Sequence, residues 1–154
     1  MTHVAPAPPI ERVVLDTNAV LDWLVFGNAA CAGWGERLAS GRAQWLVTEP
    51  MRTELALVLD RDALRGRGIA AEAVWEVWSR LATPCPPAGS VPADRLRCTD
   101  PSDQMFIDLA IAHRAQWLVS RDRAVLKLAR RARAYGLAIV TPEAWTTPTP
   151  VEQA

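Results

Sequence analysis

The chain has little cysteine and histidine, and these shortages exclude several classes of function. It holds three cysteines and two histidines among 154 residues, with no spacing typical of a metal site. An odd number of cysteines gives no disulfide framework, so we expect Cys31, Cys85 and Cys98 to be reduced thiols. The composition therefore argues against a disulfide-stabilised secreted protein and against zinc chemistry.

Long apolar segments are also missing. No apolar run approaches the ~18 residues that indicate a membrane span, and residues 1–9 lack the charged and apolar regions of a signal peptide. We therefore expect a cytoplasmic protein with no membrane contact. Residues 1–10 are predicted to form a disordered lead, residues 11–145 a single domain and residues 146–154 a flexible tail.

Short apolar strand patterns alternate with helical patterns along the chain. Strands are predicted at residues 13–15, 45–47, 117–119 and 138–140, with a weaker fifth at 95–97. The proline-rich residues 83–92 are predicted to be a loop. Helices are predicted at residues 19–26, 29–39, 50–59, 70–81, 100–114 and 123–134, the last ending at Gly136. This alternation predicts an α/β fold, a three-layer α/β/α sandwich with a mainly parallel sheet of four or five strands.

Two acids end predicted strands, and two more begin or lie in predicted helices. Asp16 and Asp122 end strands whose carboxyl ends share one edge of a parallel sheet, which is where such folds bind ligands. Taken singly, either could cap the following helix, and so could Asp100, with Asp103 in the first turn.

Capping does not explain Glu54. It lies on the edge of an apolar stripe with Met51, Leu55 and Val58, where an unpaired charge is costly. Asp103 similarly shares its helix face with apolar residues. Acids brought together at one sheet edge repel one another unless a cation neutralises them, and oxygen ligands without Cys or His select Mg²⁺ or Mn²⁺.

Four segments resemble the motifs of PIN-domain ribonucleases in their order and spacing. They are residues 13–18 (VVLDTN), 48–54 (TEPMRTE), 98–110 (CTDPSDQMFIDLA) and 117–122 (WLVSRD). The closing residues 136–142 (GLAIVTP) are similar to the branch that contains toxin components of toxin–antitoxin pairs. The resemblance covers roughly residues 12–145.

This resemblance implies an endoribonuclease that hydrolyses RNA with water activated by Mg²⁺ or Mn²⁺. The metal-binding and catalytic acids would be Asp16, Glu54, Asp103 and Asp122. Asn18 and Ser120 would support them by hydrogen bonding, and Asp100 is the alternative third acid. The implied partners are the RNA substrate, a small antitoxin protein and a second copy of the chain in a homodimer.

Two other features have competing interpretations. A stretch of basic residues could be a solvated helix face or a phosphate-binding surface; it comprises Arg114, Arg121, Arg123, Lys127, Arg130, Arg131 and Arg133. Trp75 and Trp78, three apart on one helix, could pack in the core or form a surface for a partner.

Two alternative functions remain open. One is a non-catalytic PIN-fold module that binds RNA or protein. The other is a phosphoacceptor regulator, which needs a lysine near the last strand end. It is disfavoured because the only lysine, Lys127, falls within a helical pattern.

Overall fold

The computed structural model describes residues 10–61, 71–89 and 95–145. The predicted tail at 146–154, and all of the predicted lead except Ile10, lie outside the described residues. The strands are β1 (Glu11–Leu15), β2 (Ala43–Val47), β3 (Ala82–Pro84), β4 (Trp117–Val119) and β5 (Ala138–Val140). The helices are α1 (Thr17–Leu24), α2 (Trp34–Ala39), α3 (Glu49–Leu59), α4 (Ala71–Leu81), α5 (Gln104–Ala112), α6 (Arg123–Leu126) and α7 (Ala129–Ala132).

The five strands form one parallel sheet in the order β3-β2-β1-β4-β5. Val13, Val14 and Leu15 of the central strand β1 are all buried. Successive strand residues point to opposite faces, so burial of all three shows that both faces are covered. The predicted α/β sandwich with a parallel sheet is confirmed.

The fifth strand is not the one that the sequence indicates. Residues 95–97 form no strand, and the fifth strand is β3, Ala82–Pro84, which overlaps the predicted loop. Proline is tolerated there because β3 is an edge strand and Pro84 is its last residue. Cys85 N–H then donates to Val47 O at 2.8 Å, which continues the pairing with β2.

Two predicted helices are interrupted. The pattern at residues 29–39 forms a 3₁₀ turn, Ala29–Cys31, and then α2 after Gly33. The pattern at residues 123–134 forms α6, α7 and a 3₁₀ turn, Arg133–Tyr135. Gly136 ends this region in the left-handed conformation at φ 71°, as predicted.

Six of the seven tryptophans form a continuous row through the core. Neighbouring rings have centroids 5.0 to 5.9 Å apart in tilted or edge-to-face geometry. The order along the row is Trp145, Trp34, Trp23, Trp45, Trp78 and Trp75. Arg37 stacks on the first ring and Arg52 on the last. Trp78 is therefore core packing, whereas Trp75 is half-buried under Arg52.

Candidate metal centre

The strand order creates a crevice between the carboxyl ends of β1 and β4. The chain first adds β2 and β3 on one side of β1, and later places β4 and β5 on the other. This reversal is the topological switch point at which open α/β sheets bind ligands. Asp16 follows β1 and Asp122 follows β4 after two residues, and Asp16 N–H donates to Val119 O at 3.1 Å. The two carboxylates therefore flank the crevice.

Asp16 is a buried acid with two roles. Its Oδ1 accepts from Ala19 N–H at 2.8 Å and so caps α1. Only 3% of the residue is exposed. Burial raises the pKa of Asp16 from 3.8 to about 6, and the charges of Asp122 and Glu54 add to the rise, against hydrogen bonds from Ser120 and Ala19. A group with this pKa is strained as an anion unless a cation lies near it.

Glu54 approaches the same crevice from α3. Helix α3 begins after Thr48, whose hydroxyl accepts from Met51 N–H at 3.4 Å. Glu54 is half-buried, and its carboxylate accepts a short hydrogen bond from the Thr17 hydroxyl. Thr17 is the first residue of α1, directly after Asp16. This hydrogen bond aims Glu54 towards the Asp16 end of the crevice.

Asp103, Asp122 and Asp100 form a group of three carboxylates, and with Asp16 and Glu54 they make up the acid cluster. Each of the three offers a carboxylate oxygen, and these oxygens all lie within 4.8 Å of one another. Asp103 makes no capping hydrogen bond, and its Oδ2 is buried with no hydrogen-bond partner. Burial, and then Asp122 beside it, raise the pKa of Asp103 from 3.8 to about 7. Capping therefore explains Asp100 and Asp122, but it does not explain Asp103.

The two candidates for the third acid differ in their surroundings. Asp100 accepts from both the N–H and the hydroxyl of Ser102, at 3.0 and 2.7 Å, and these bonds lower its pKa. Asp103 has no such satisfaction. Asp108 is not a member of the group of three carboxylates, and it pairs with Arg95 at 3.0 Å. The surroundings favour Asp103 as the ligand, with Asp100 as the cap and neighbour.

The two predicted supporting residues behave differently. Ser120 is buried, its Oγ accepts from Asp122 N–H at 3.0 Å, and its hydrogen bond to Asp16 lowers that pKa. Ser120 thus joins the two strand-end acids. Asn18 is exposed, and the hydrogen bonds of the described residues include none from its side chain. Thr17 makes the supporting contact instead. The sequence signal for it was a hydroxyl directly after a strand-end acid.

The donor set suits a hard divalent cation. The predicted ligands offer carboxylate oxygens, and one of these, Asp103 Oδ2, is buried without a partner. Such oxygens match the preference of Mg²⁺ and Mn²⁺. Burial is the largest cause of the raised pKa values of Asp16 and Asp103, and repulsion between the acids adds to it. A cation here would stabilise the ionised carboxylates against both effects.

The basic stretch is exposed at all seven positions. Arg121, adjacent to Asp122, is held by ion pairs with Asp22 of α1 and with Glu143 in the 3₁₀ turn Pro142–Ala144. Arg123 is the first residue of α6 and lies beside Asp122 in the chain.

Comparison with known proteins supports this fold assignment. Among the residues described, no helix has the length and apolar character to cross a membrane. A search of curated proteins finds no match. A solved structure, "Crystal structure of VapBC2 from Rickettsia felis bound to a DNA fragment from their promoter", contains a similar chain. The TM-score is 0.54 at 12% identity, and the alignment covers 84% of this chain and 98% of the other.

The similarity to this structure concerns the fold alone, whereas the sequence match is to a family. The model described as "PIN domain" matches residues 12–124, which include every predicted metal-binding acid. These residues span β1 to the start of α6 and hence the whole crevice. The chain therefore belongs to the PIN domain family.

Proposed function

We propose that this protein is a Mg²⁺- or Mn²⁺-dependent endoribonuclease, the toxin of a toxin–antitoxin pair. The observation that carries the proposal is the group of carboxylates from Asp103, Asp122 and Asp100 at the switch point. Asp16 supports it, because its charge interacts with those of Asp103, Asp122 and Glu54. Structural ion pairs seldom leave a carboxylate oxygen such as Asp103 Oδ2 buried and unpartnered. Carboxylates whose pKa values are raised by burial and by neighbouring acids are typical of functional sites.

The chain's own residues divide the work. Asp16, Asp103, Asp122 and Glu54 would hold the cation, which supplies a polarised water and offsets charge on the phosphate. Ser120 orients Asp16 and the Asp122 backbone, and Thr17 orients Glu54. Arg123 would hold a neighbouring phosphate, so that the scissile group is presented to the acids. The expected products carry 5′-phosphate and 3′-hydroxyl ends.

The partners are part of the same proposal. The structural neighbour was crystallised as VapBC2 with promoter DNA, which supports assembly of this chain with a small antitoxin protein. We further propose RNA as the substrate, a homodimer as the assembly and the cytoplasm as the location. The exposed arginines and Lys127 supply the positive surface that a nucleic acid requires.

RNA cleavage by the purified protein tests the proposal. End-labelled RNA is incubated with Mg²⁺, Mn²⁺ or EDTA and with wild type, Asp16→Asn or Asp103→Asn. Asp22→Asn is the matched control, because Asp22 pairs with Arg121 outside the cluster. We expect cleavage with either metal by wild type and the control, and a loss of at least ~100-fold in the two cluster variants.

Two results would count against the proposal. Cleavage that survives in EDTA would exclude the metal mechanism, whereas full cleavage by Asp103→Asn would exclude Asp103 as a required ligand and favour Asp100. Absence of cleavage together with absence of divalent-ion binding by calorimetry would favour the non-catalytic binding module.

A further inference from the structure

Gln104 directly follows Asp103, and its side-chain amide forms hydrogen bonds with the backbone of the preceding loop. Its Oε1 accepts from Cys98 N–H at 2.7 Å. Its Nε2 donates to Leu96 O at 2.7 Å and to Asp108 Oδ1 at 2.9 Å. The amide therefore replaces the strand pairing that the sequence predicts for this segment.

These hydrogen bonds close a loop around two acids. The bond between Cys98 and Gln104 joins the ends of residues 98–104, which carry Asp100 and Asp103. Leu96 and Cys98 are buried, so the loop is closed onto a fixed base. Asp103 makes no capping bond with α5, so its helix end does not fix its carboxylate.

Electrostatic repulsion between ionised acids acts on this loop. Asp103 lies beside Asp122 and near Asp100, and like charges at this separation repel. A loop without internal bonds would relax by moving Asp103 away, at the expense of the geometry that a cation needs. An amide suits this position because it supplies both a donor and an acceptor and adds no charge to the cluster.

We propose that Gln104 is a positioning residue that holds Asp103 in reach of Asp122, so that the carboxylates are arranged before a divalent cation binds. This inference rests on the proposed function, because it assigns to Gln104 a role in that same site. Residues that orient metal ligands typically contribute about 10- to 100-fold to metal affinity. A residue that only stabilised the fold would leave this affinity unchanged.

The test compares Mn²⁺ affinity in two matched variants, Gln104→Met and Gln116→Met. Gln116 Oε1 also accepts a backbone N–H at 2.7 Å, from Arg12, but at the opposite end of the sheet from the acids. Affinity is measured by titration calorimetry, and thermal unfolding is recorded in EDTA and in excess Mn²⁺. We expect Gln104→Met to bind Mn²⁺ at least ~10-fold more weakly, and Gln116→Met to bind within about twofold of wild type.

Two further variants keep the test decisive. Gln104→Asn retains a polar amide, so we expect the fold to be kept. Its side chain is one methylene too short to make the same hydrogen bonds, so it should weaken Mn²⁺ binding as Gln104→Met does. Asp108→Asn loses the charge that pairs with Arg95. Because asparagine keeps an oxygen that can accept from Gln104, Mn²⁺ binding should persist in this variant.

The possible outcomes separate this inference from the proposed function. If wild type binds neither Mn²⁺ nor Mg²⁺, both are wrong. If wild type binds Mn²⁺ and both Gln104 variants bind it equally well, the positioning role is wrong while the proposed function stands. Equal weakening in Gln116→Met would also overturn it, because the effect would then be general destabilisation.

Discussion

Replacing Asp16 with asparagine should stabilise the metal-free protein while removing its function. Asp16 is 3% exposed, and burial is the largest cause of its raised pKa. Asparagine keeps the oxygen that caps α1 through Ala19 N–H and removes the buried charge. Asp16→Asn should therefore lose metal binding and RNA cleavage without loss of fold.

The magnitude follows from the pKa. A rise from 3.8 to about 6 corresponds to about 3 kcal/mol, because each unit of pKa is worth about 1.4 kcal/mol. The anion is less stable in the folded state than in the unfolded state, so this cost is absent below pH 3.8, grows as pH rises and is complete above pH 6. Asparagine must also satisfy its amide hydrogens beside Ser120, which reduces the gain. We expect a net gain of about 1–3 kcal/mol at pH 8.

Urea unfolding in EDTA measures this gain. Wild type and Asp16→Asn are compared at pH 8 and pH 5, with Asp22→Asn as control. The variant should be more stable at pH 8, with a smaller advantage at pH 5. Asp22→Asn should gain nothing, since it loses an ion pair with Arg121.

A lower stability of Asp16→Asn than of wild type at pH 8 in EDTA would contradict this prediction. The carboxylate would then be stabilised in the folded state by groups other than a cation. An advantage that does not depend on pH would also contradict it, because a neutral side chain would then be acting through packing.

Three further predictions concern the wild-type site and the scaffold. In EDTA the melting temperature of wild type should fall from pH 5 to pH 8, because Asp16 and Asp103 ionise at about 6 and about 7, and excess Mn²⁺ should remove or reverse this fall. Trp34→Phe should cost about 1–2 kcal/mol in urea unfolding, since it loses the 2.8 Å bond from Nε1 to Trp145 O, and an unchanged stability would contradict this. Arg121→Met should cost less than ~1 kcal/mol despite two ion pairs, because its side chain is 36% exposed; a loss above ~3 kcal/mol would show that it fixes the Asp122 loop.

The sequence predicts the central strands better than the edge. The segments at 13–15, 45–47, 117–119 and 138–140 are apolar because they are covered on both faces, and each lies within an observed strand. Strand β3 was missed because an edge strand tolerates Pro84, which reads locally as a loop. The segment predicted as a strand at 95–97 instead bonds through Leu96 O, and through the N–H of Cys98 just after it, to the side chain of Gln104, which no local pattern reveals.

The sequence also predicts which acids could meet, but not how each is held. Asp16 and Asp122 follow from strand ends, which are visible as a pattern. Thr17 bonds to a residue 37 positions away in the sequence, so its role depends on tertiary geometry. Gln104 bonds to residues that are 4 to 8 positions away, so its role depends on the geometry of the loop. The sequence resemblance implies a supporting role for Asn18 and none for Thr17, yet the side chain of Asn18 is exposed and Thr17 bonds to Glu54.

Helix capping and metal binding are compatible roles for the strand-end acids. Asp16 and Asp122 each use Oδ1 to accept a backbone N–H at 2.8 Å, from Ala19 and Ala124. Each cap restrains one oxygen of its carboxylate before any cation arrives. Asp103 lacks a cap and depends on the loop closed by Gln104. In the proposed nuclease, backbone N–H groups therefore orient Asp16 and Asp122, the Thr17 hydroxyl orients Glu54, and the Gln104 amide orients Asp103. Loss of the Gln104 amide should therefore lower the affinity for the metal, whereas loss of a cap should lower the free energy of unfolding.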